Sequence, residues 1–269
     1  MPALQEALLY PHHPLDPSAA RSPDPVYWVT PRHLAGDDGI LADQVSATLA
    51  SLGWTRLTII RGRQEPDQAE EERQVLRSTV LHLSPDLLAW AQWTLADEPF
   101  LLGELPVAWQ VSARGDTDGP VAEWNAYFST GVPYEVLGDF LFALDARPDP
   151  ASGYDGPEAV LAALTGQGWG RDIDHPDTTA TDPGFASSFT LCLLPPLIQD
   201  FDPRPDRMGW QAWAEPVLGA PYLWSAAFSA SVPHDLVAAF ASSLASPVPV
   251  PRRALPEGTE GRLILTPPS

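Results

Sequence analysis

The chain has 269 residues, 44% of them hydrophobic, and its 35 acidic and 15 basic residues leave a formal net charge of -20. That length supports one large core or two small ones, and the charge opposes long-range attraction to a nucleic-acid backbone or an anionic membrane. All the basic residues are arginine and Cys192 is the single cysteine, which excludes Schiff-base and Walker-type lysine chemistry, an internal disulfide and a cysteine-based zinc site.

Residues 1–26 are Pro-rich and read as an extended N-terminal arm. The first ten lack the basic-then-apolar pattern of a signal peptide, and no run approaches the ~20 apolar residues of a membrane span. A cytoplasmic protein with no membrane association is expected. A helix is predicted after Asp37-Asp38, with Leu41, Val45, Leu49 and Leu52 at helical spacing and Gly53 as its stop. Strands are predicted over 54–61, 75–83, 87–95, 107–113 and 122–129. In the fourth, Val107, Trp109 and Val111 alternate with Ala108, Gln110 and Ser112; in the fifth, Trp124, Ala126 and Phe128 alternate with Glu123, Asn125 and Tyr127. Period-two alternation marks half-buried antiparallel strands. A closing helix follows, with Pro133 and Glu135 in its first turn and an apolar stripe of Leu137, Phe140, Leu141 and Leu144.

After a Pro/Gly-rich linker over 145–156, the order returns. LASLGWTR at 49–56 becomes LTGQGWGR at 164–171, LHLSP at 81–85 becomes LCLLP at 191–195, and WNAYFSTGVP at 124–133 becomes WSAAFSASVP at 224–233. A second closing helix carries Val237, Phe240, Ala241 and Leu244 behind Pro233 and Asp235. Residues 246–269 form a Pro-rich tail. The expected fold class is α+β: two tandem repeats, 27–147 and 152–245, each an antiparallel sheet of about four strands between a leading and a closing helix, related by pseudo-twofold symmetry. Each closing helix should cover the aromatic face of its own sheet.

Few residues read as chemistry. His12, His13, His33, His82, His175 and His234 show no metal-ligand spacing. His82 aligns with Cys192 in the repeat and reads as a packing position. Asp116-Thr117-Asp118-Gly119 is a fragment of a calcium loop without its closing glutamate, and reads as a turn. No catalytic residue, metal ligand or cofactor is expected. The candidate binding residues are Trp93 and Trp213, surplus aromatics that are either buried between the repeats or a stacking platform. Arg56, Arg61 and Arg63 join them as part of the one local basic concentration, which also holds Arg73 and Arg77.

The helix ending in Gly53-Trp54, the Ser84-Pro85-Asp86 step and the Trp–Phe-Ser–Pro–acid segment before each closing helix resemble an actinobacterial family, common in Streptomyces and often in tandem: the SPDY-type domain of unknown function. The resemblance spans roughly 27–145 and 152–245. Leu87 stands where a tyrosine would complete the motif, and Leu194-Pro195-Pro196 stands in its place in the second copy. The resemblance implies a fold and a host, and no activity. The first functional reading is a non-catalytic binding or scaffold protein that recognises a protein partner. The second is single-stranded nucleic-acid binding, since strands followed by a helix, twice, resemble whirly-type binders; the net charge disfavours it. The third is a carboxylate-dependent hydrolase.

Overall fold

The computed structural model describes residues 26–63, 75–95, 100–118, 122–153, 155–192 and 209–266. The first half runs β1 (Tyr27–Thr30), α1 (Leu41–Ser51), β2 (Thr55–Arg63), β3 (Val75–Leu83), β4 (Ala89–Leu95), β5 (Leu101–Leu102), β6 (Leu105–Ala113), β7 (Trp124–Ser129) and α2 (Tyr134–Asp145). The second runs α3 (Glu158–Thr165), β8 (Gly170–Arg171), β9 (Thr179–Thr181), β10 (Ser187–Cys192), β11 (Gly209–Ala214), β12 (Trp224–Ser229), α4 (His234–Leu244), β13 (Val250–Arg252) and β14 (Ile264–Thr266). The class is α+β with antiparallel pairing throughout the main sheet. The N-terminal arm and Leu194-Pro195-Pro196 lie outside the described residues.

The main departure from expectation is that the halves do not build separate sheets. Their strands form one sheet in the order β2-β3-β4-β6-β7-β12-β11-β10-β9-β8, with β5 hairpinned on β6. The halves join edge to edge: Ala126 pairs with Phe228, Tyr127 with Ala227 and Phe128 with Ala226. Serine side chains continue the ladder beyond these three pairs. Asn125 N donates to Ser229 Oγ at 3.1 Å, and Ser225 N donates to Ser129 Oγ at 2.8 Å. The physical reason is that the last strand of each half presents a row of unpaired N–H and C=O groups, and joining the two rows satisfies both.

The helices lie side by side on one face, α1 against α2, α2 against α4 and α4 against α3. Beneath them is a single core that includes Trp109, Trp124, Phe128, Phe189, Trp210, Trp224 and Phe228. Each helix stripe covers its own strands, with Phe140 5.5 Å from Phe128 and Phe240 5.2 Å from Phe228, and also reaches across to the other half. Phe140 of α2 packs 5.9 Å from Phe228, and Phe240 of α4 packs 5.6 Å from Phe128. One face assignment also changes. A β-bulge shifts the register between Val107 and Trp109, so Val107 turns away from Trp109 and packs with Leu102 and Tyr127 on the other face.

The structure also realigns the second half. Ser84 N donates to Ala89 O and Leu87 N to Ser84 O, which closes the β3–β4 turn. The same two bonds recur as Asp182 N to Ser187 O and Phe185 N to Asp182 O. Leu87 and Phe185, at φ 64° and 56°, occupy matching left-handed positions. The counterpart of Ser84-Pro85-Asp86 is therefore Asp182-Pro183-Gly184, and not Leu194-Pro195-Pro196. Likewise His82 corresponds to Ala180, since Leu83 pairs with Trp90 and Thr181 pairs with Ser188; the alignment with Cys192 does not hold.

Part of the C-terminal tail is folded: β13 and β14 flank β1 in a small second sheet. Arg252, fully buried, forks onto the Glu135 carboxylate at 2.7 and 2.6 Å and donates to the carbonyls of Ala35 and Gly36. Arg147 mirrors it, pairing with Asp235 and donating to the Ser152 carbonyl. Each closing helix thus receives, at its positive first turn, a carboxylate bound by the arginine that follows the other closing helix.

Trp124 and Trp224 are buried, 1% and 0% exposed, and their indole N–H groups donate to the carbonyls of Pro150 and His33. Truncation of either to Ala is expected to cost about 3–5 kcal/mol, read from urea unfolding. Because one sheet and one core run through both halves, the wild type should unfold in a single transition by fluorescence and by far-ultraviolet circular dichroism. Two resolved transitions would contradict the shared core.

Candidate functional site

A cleft of about 260 Å³ opens where the Ser84-Pro85-Asp86 turn meets the end of α2. Trp54, Leu52, Ala89 and Leu144 line its apolar part; Ser84, Asp86, Asp145 and Arg147 bring polar groups, and Pro150 closes one side. The turn holds itself in shape. Ser84 Oγ donates to Asp86 Oδ1 at 2.6 Å, and the same carboxylate oxygen accepts from Leu88 N at 3.0 Å. Opposite, Trp54 Nε1 donates to Asp145 Oδ1 at 2.7 Å, tying the segment after α1 to the last residue of α2. Two exposed carboxylates, Asp86 and Asp145, therefore stand beside a largely buried indole. Arg147 is directed to Asp235 and the Ser152 carbonyl.

The matching place in the second half is filled. The turn is Asp182-Pro183-Gly184, and Asp182 accepts the amides of Gly184, Ala186 and Ser187. The His33 imidazole meets it from the N-terminal segment, with Nε2 3.5 Å from Asp182 Oδ2 and the ring edge-on to Trp169 at 5.5 Å. Burial pushes the Asp182 carboxyl up, but His33 and the amides of Ser187 and Gly184 prevail and hold it below the usual carboxylate value. The segments that reach the two places are alike. Pro31-Arg32-His33-Leu34-Ala35-Gly36 and Pro148-Asp149-Pro150-Ala151-Ser152-Gly153 each precede a leading helix. His33 O and Pro150 O accept the two indole bonds, while Ala35 O and Ser152 O accept the two arginines.

The sequence-predicted residues lie apart from this cleft. Trp93 is half-buried on the helix face, edge-on to Trp109 at 5.5 Å. Trp213 is half-buried on the opposite face, across from Ser225, with its ring 6.3 Å from Tyr222. Neither lies at the junction of β7 and β12, because the halves join by backbone edges and not by aromatic faces. Arg56 is exposed on β2; Arg61 and Arg63 are on the same strand, and their side chains, like Arg73, lie outside the described part. The residues that sequence reasoning missed are Asp145, Arg147, Pro150, His33 and Asp182. A signal for them existed in the Pro-x-x-x-x-Gly spacing shared by 31–36 and 148–153.

Two segments, residues 83–151 and 198–250, match the family model described as SPDY: Domain of unknown function (DUF317). Both segments are similar to the SPDY domain. The first SPDY segment contains the cleft turn, α2 and Pro150, whereas the second begins beyond the Asp182 turn. No match was found among curated proteins or among solved structures. Among the described residues, no helix is long and apolar enough to cross a membrane, and no group of three or more His, Cys, Asp and Glu is placed to hold a metal ion.

Near the cleft, the helix face of β3 holds His82, 1% exposed, with neither ring nitrogen hydrogen-bonded and its ring 5.8 Å from that of Trp109. Burial first, and the positive charge of Arg56 second, push its pKa below the usual value. His234 is lowered by burial as well. Unfolded, these two imidazoles take up protons near pH 6.5; folded, they do so only at lower pH. Below pH 6.5 the unfolded state therefore binds more protons, and stability falls as pH falls. Thermal melts from pH 7.5 to 5 should show this decline. His82→Leu, which also removes two unsatisfied buried nitrogens, should flatten it and raise the melting temperature at pH 5.

Proposed function

We propose that this protein is a non-catalytic recognition module, and that the cleft between the Ser84-Pro85-Asp86 turn and α2 holds a segment of a protein partner. The observation that carries the reading is the asymmetry between the two matching places. One is filled by the chain's own His33, and the other is an open cleft with an indole wall and two carboxylates. The reading includes descent of both halves from one unit, related by a local twofold axis between Tyr127 and Ala227. Support comes from the reciprocal bonds of Asn125 to Ser229 and Ser225 to Ser129, and from the exchanged pairs Arg147–Asp235 and Arg252–Glu135. On this view each half offers a cleft, and evolution has closed one from within.

The nucleic-acid alternative keeps the exposed Arg56 on β2 but draws no support from four other arginines of the described part. Arg147, Arg171 and Arg252 are paired with Asp235, Glu158 and Glu135, and Arg114 donates to the Leu87 carbonyl while lying over Trp90. Internal pairing removes them from phosphate contact. We take the protein to act in the cytoplasm, where a lone cysteine, Cys192, stays reduced.

A photo-crosslinking amino acid at Asp86 and, as control, at Ile173, which is 94% exposed on the second half, tests the reading. In the native host, discrete protein adducts should form from position 86 and not from 173. Equal patterns at both positions, or no adduct at 86, would refute a recognition role for the cleft.

A further inference from the structure

We infer that the open cleft binds the imidazole of a histidine that a protein partner presents on a proline-flanked turn like Pro31–Leu34. This rests on the recognition reading above and names its ligand chemistry. The template lies within the molecule. Trp224 and Trp124 hold matching carbonyls, those of His33 and Pro150. At the first, the side chain projecting beside the carbonyl is an imidazole, which fills the space between Trp169 and the Asp182 turn. At the second, the side chain is a proline ring, and the matching space between Trp54 and the Ser84 turn stays open at about 260 Å³. That volume is several times the roughly 30 Å³ a water occupies in the liquid, so it admits a whole side chain.

The charge of the cleft selects which side chain. The filled place offers the imidazole one carboxylate, Asp182, backed by an indole. The open cleft offers an indole and two carboxylates, Asp86 and Asp145. Asp86 already accepts from Ser84 Oγ and Leu88 N, and Asp145 from Trp54 Nε1, and a carboxylate has lone pairs for further donors. The rim cation, Arg147, is neutralised by Asp235. A protonated imidazole is therefore matched in shape by the precedent of His33 and in charge by the two aspartates. A proline two residues before the histidine fixes the chain's entry in φ, as Pro31 does at φ -74° with ψ 153°.

Titration calorimetry of the full chain with a synthetic peptide of the sequence of residues 30–35 tests this directly. One-to-one binding is expected, tighter at pH 6 than at pH 8, because the free imidazole protonates near pH 6.5. Replacing the peptide's histidine by phenylalanine should weaken it by about tenfold or more, equivalent to ~1.4 kcal/mol. Pro150→His supplies the chain's own plug and should abolish binding while leaving the melting temperature at or above that of the wild type. Should that variant not fold, Asp86→Asn, which keeps the acceptor for Leu88 N and removes a charge, should weaken binding and reduce its pH dependence. Equal affinity of the phenylalanine peptide overturns the imidazole assignment and leaves the recognition reading standing. Undiminished binding to a folded Pro150→His protein places the peptide elsewhere and overturns the inference. No binding by either peptide overturns it too, and the crosslink at position 86 then decides the recognition reading separately.

Discussion

The antiparallel pairing of β7 with β12 is the constraint on which the rest of the molecule depends. Three residue pairs and two serine-capped amides join two half-sheets into one. A buried backbone group left without a partner costs on the order of 1–3 kcal/mol, and each half alone would expose a full strand edge. Joining the edges also fixes where the closing helices lie. α2 and α4 fall side by side over the junction, and Phe128, Phe140, Phe228 and Phe240 interlock across it. Packing of these rings then makes the two halves one cooperative core.

The exchange of segments follows from that junction. With α2 and α4 adjacent, the chain leaving each helix passes the first turn of the other, so that Arg147, just past α2, reaches Asp235 and Arg252, at the end of β13, reaches Glu135. The same crossing carries Pro31–Gly36 to Trp224 and Pro148–Gly153 to Trp124. Gly153 is needed for this approach, since a Cβ there would stand 2.8 Å from the Pro233 ring. The two clefts are thus finished by borrowed segments. A difference of one borrowed side chain, His33 against Pro150, makes one place closed and the other open.

Much of the fold was legible along the chain because its signals are local. The stripes of Leu137, Phe140, Leu141 and Leu144, and of Val237, Phe240, Ala241 and Leu244, are buried as their spacing requires. Strand β3 spans the predicted 75–83. Recurring sequence segments were also legible, though one pair of them does not occupy matching places in the structure. LHLSP and LCLLP look alike as letters, yet Leu191-Cys192 belongs to the strand after the turn, whereas Leu81-His82 belongs to the strand before it. Hydrogen bonds define the turn, and Asp182-Pro183-Gly184 can make them with different residues. The bulge at Val107 was hidden for a related reason: an extra residue changes the face without changing the alternation of letters around it.

The sequence by itself determined the element types, the identity of the core aromatics and the chemistry that is impossible without lysine or a second cysteine. These are properties of composition and of periodicity over a few residues. Only the tertiary structure decided that the halves share one sheet, that their lead segments cross over, and that a cleft survives beside Ser84-Pro85-Asp86. Each of those depends on which distant groups satisfy one another. Trp54 and Asp145, or His33 and Asp182, are far apart in the chain, and no local pattern links them. Trp54 and Asp145 meet because α1 packs against α2, and the pairing of β7 with β12 brings the surfaces of the two halves into register.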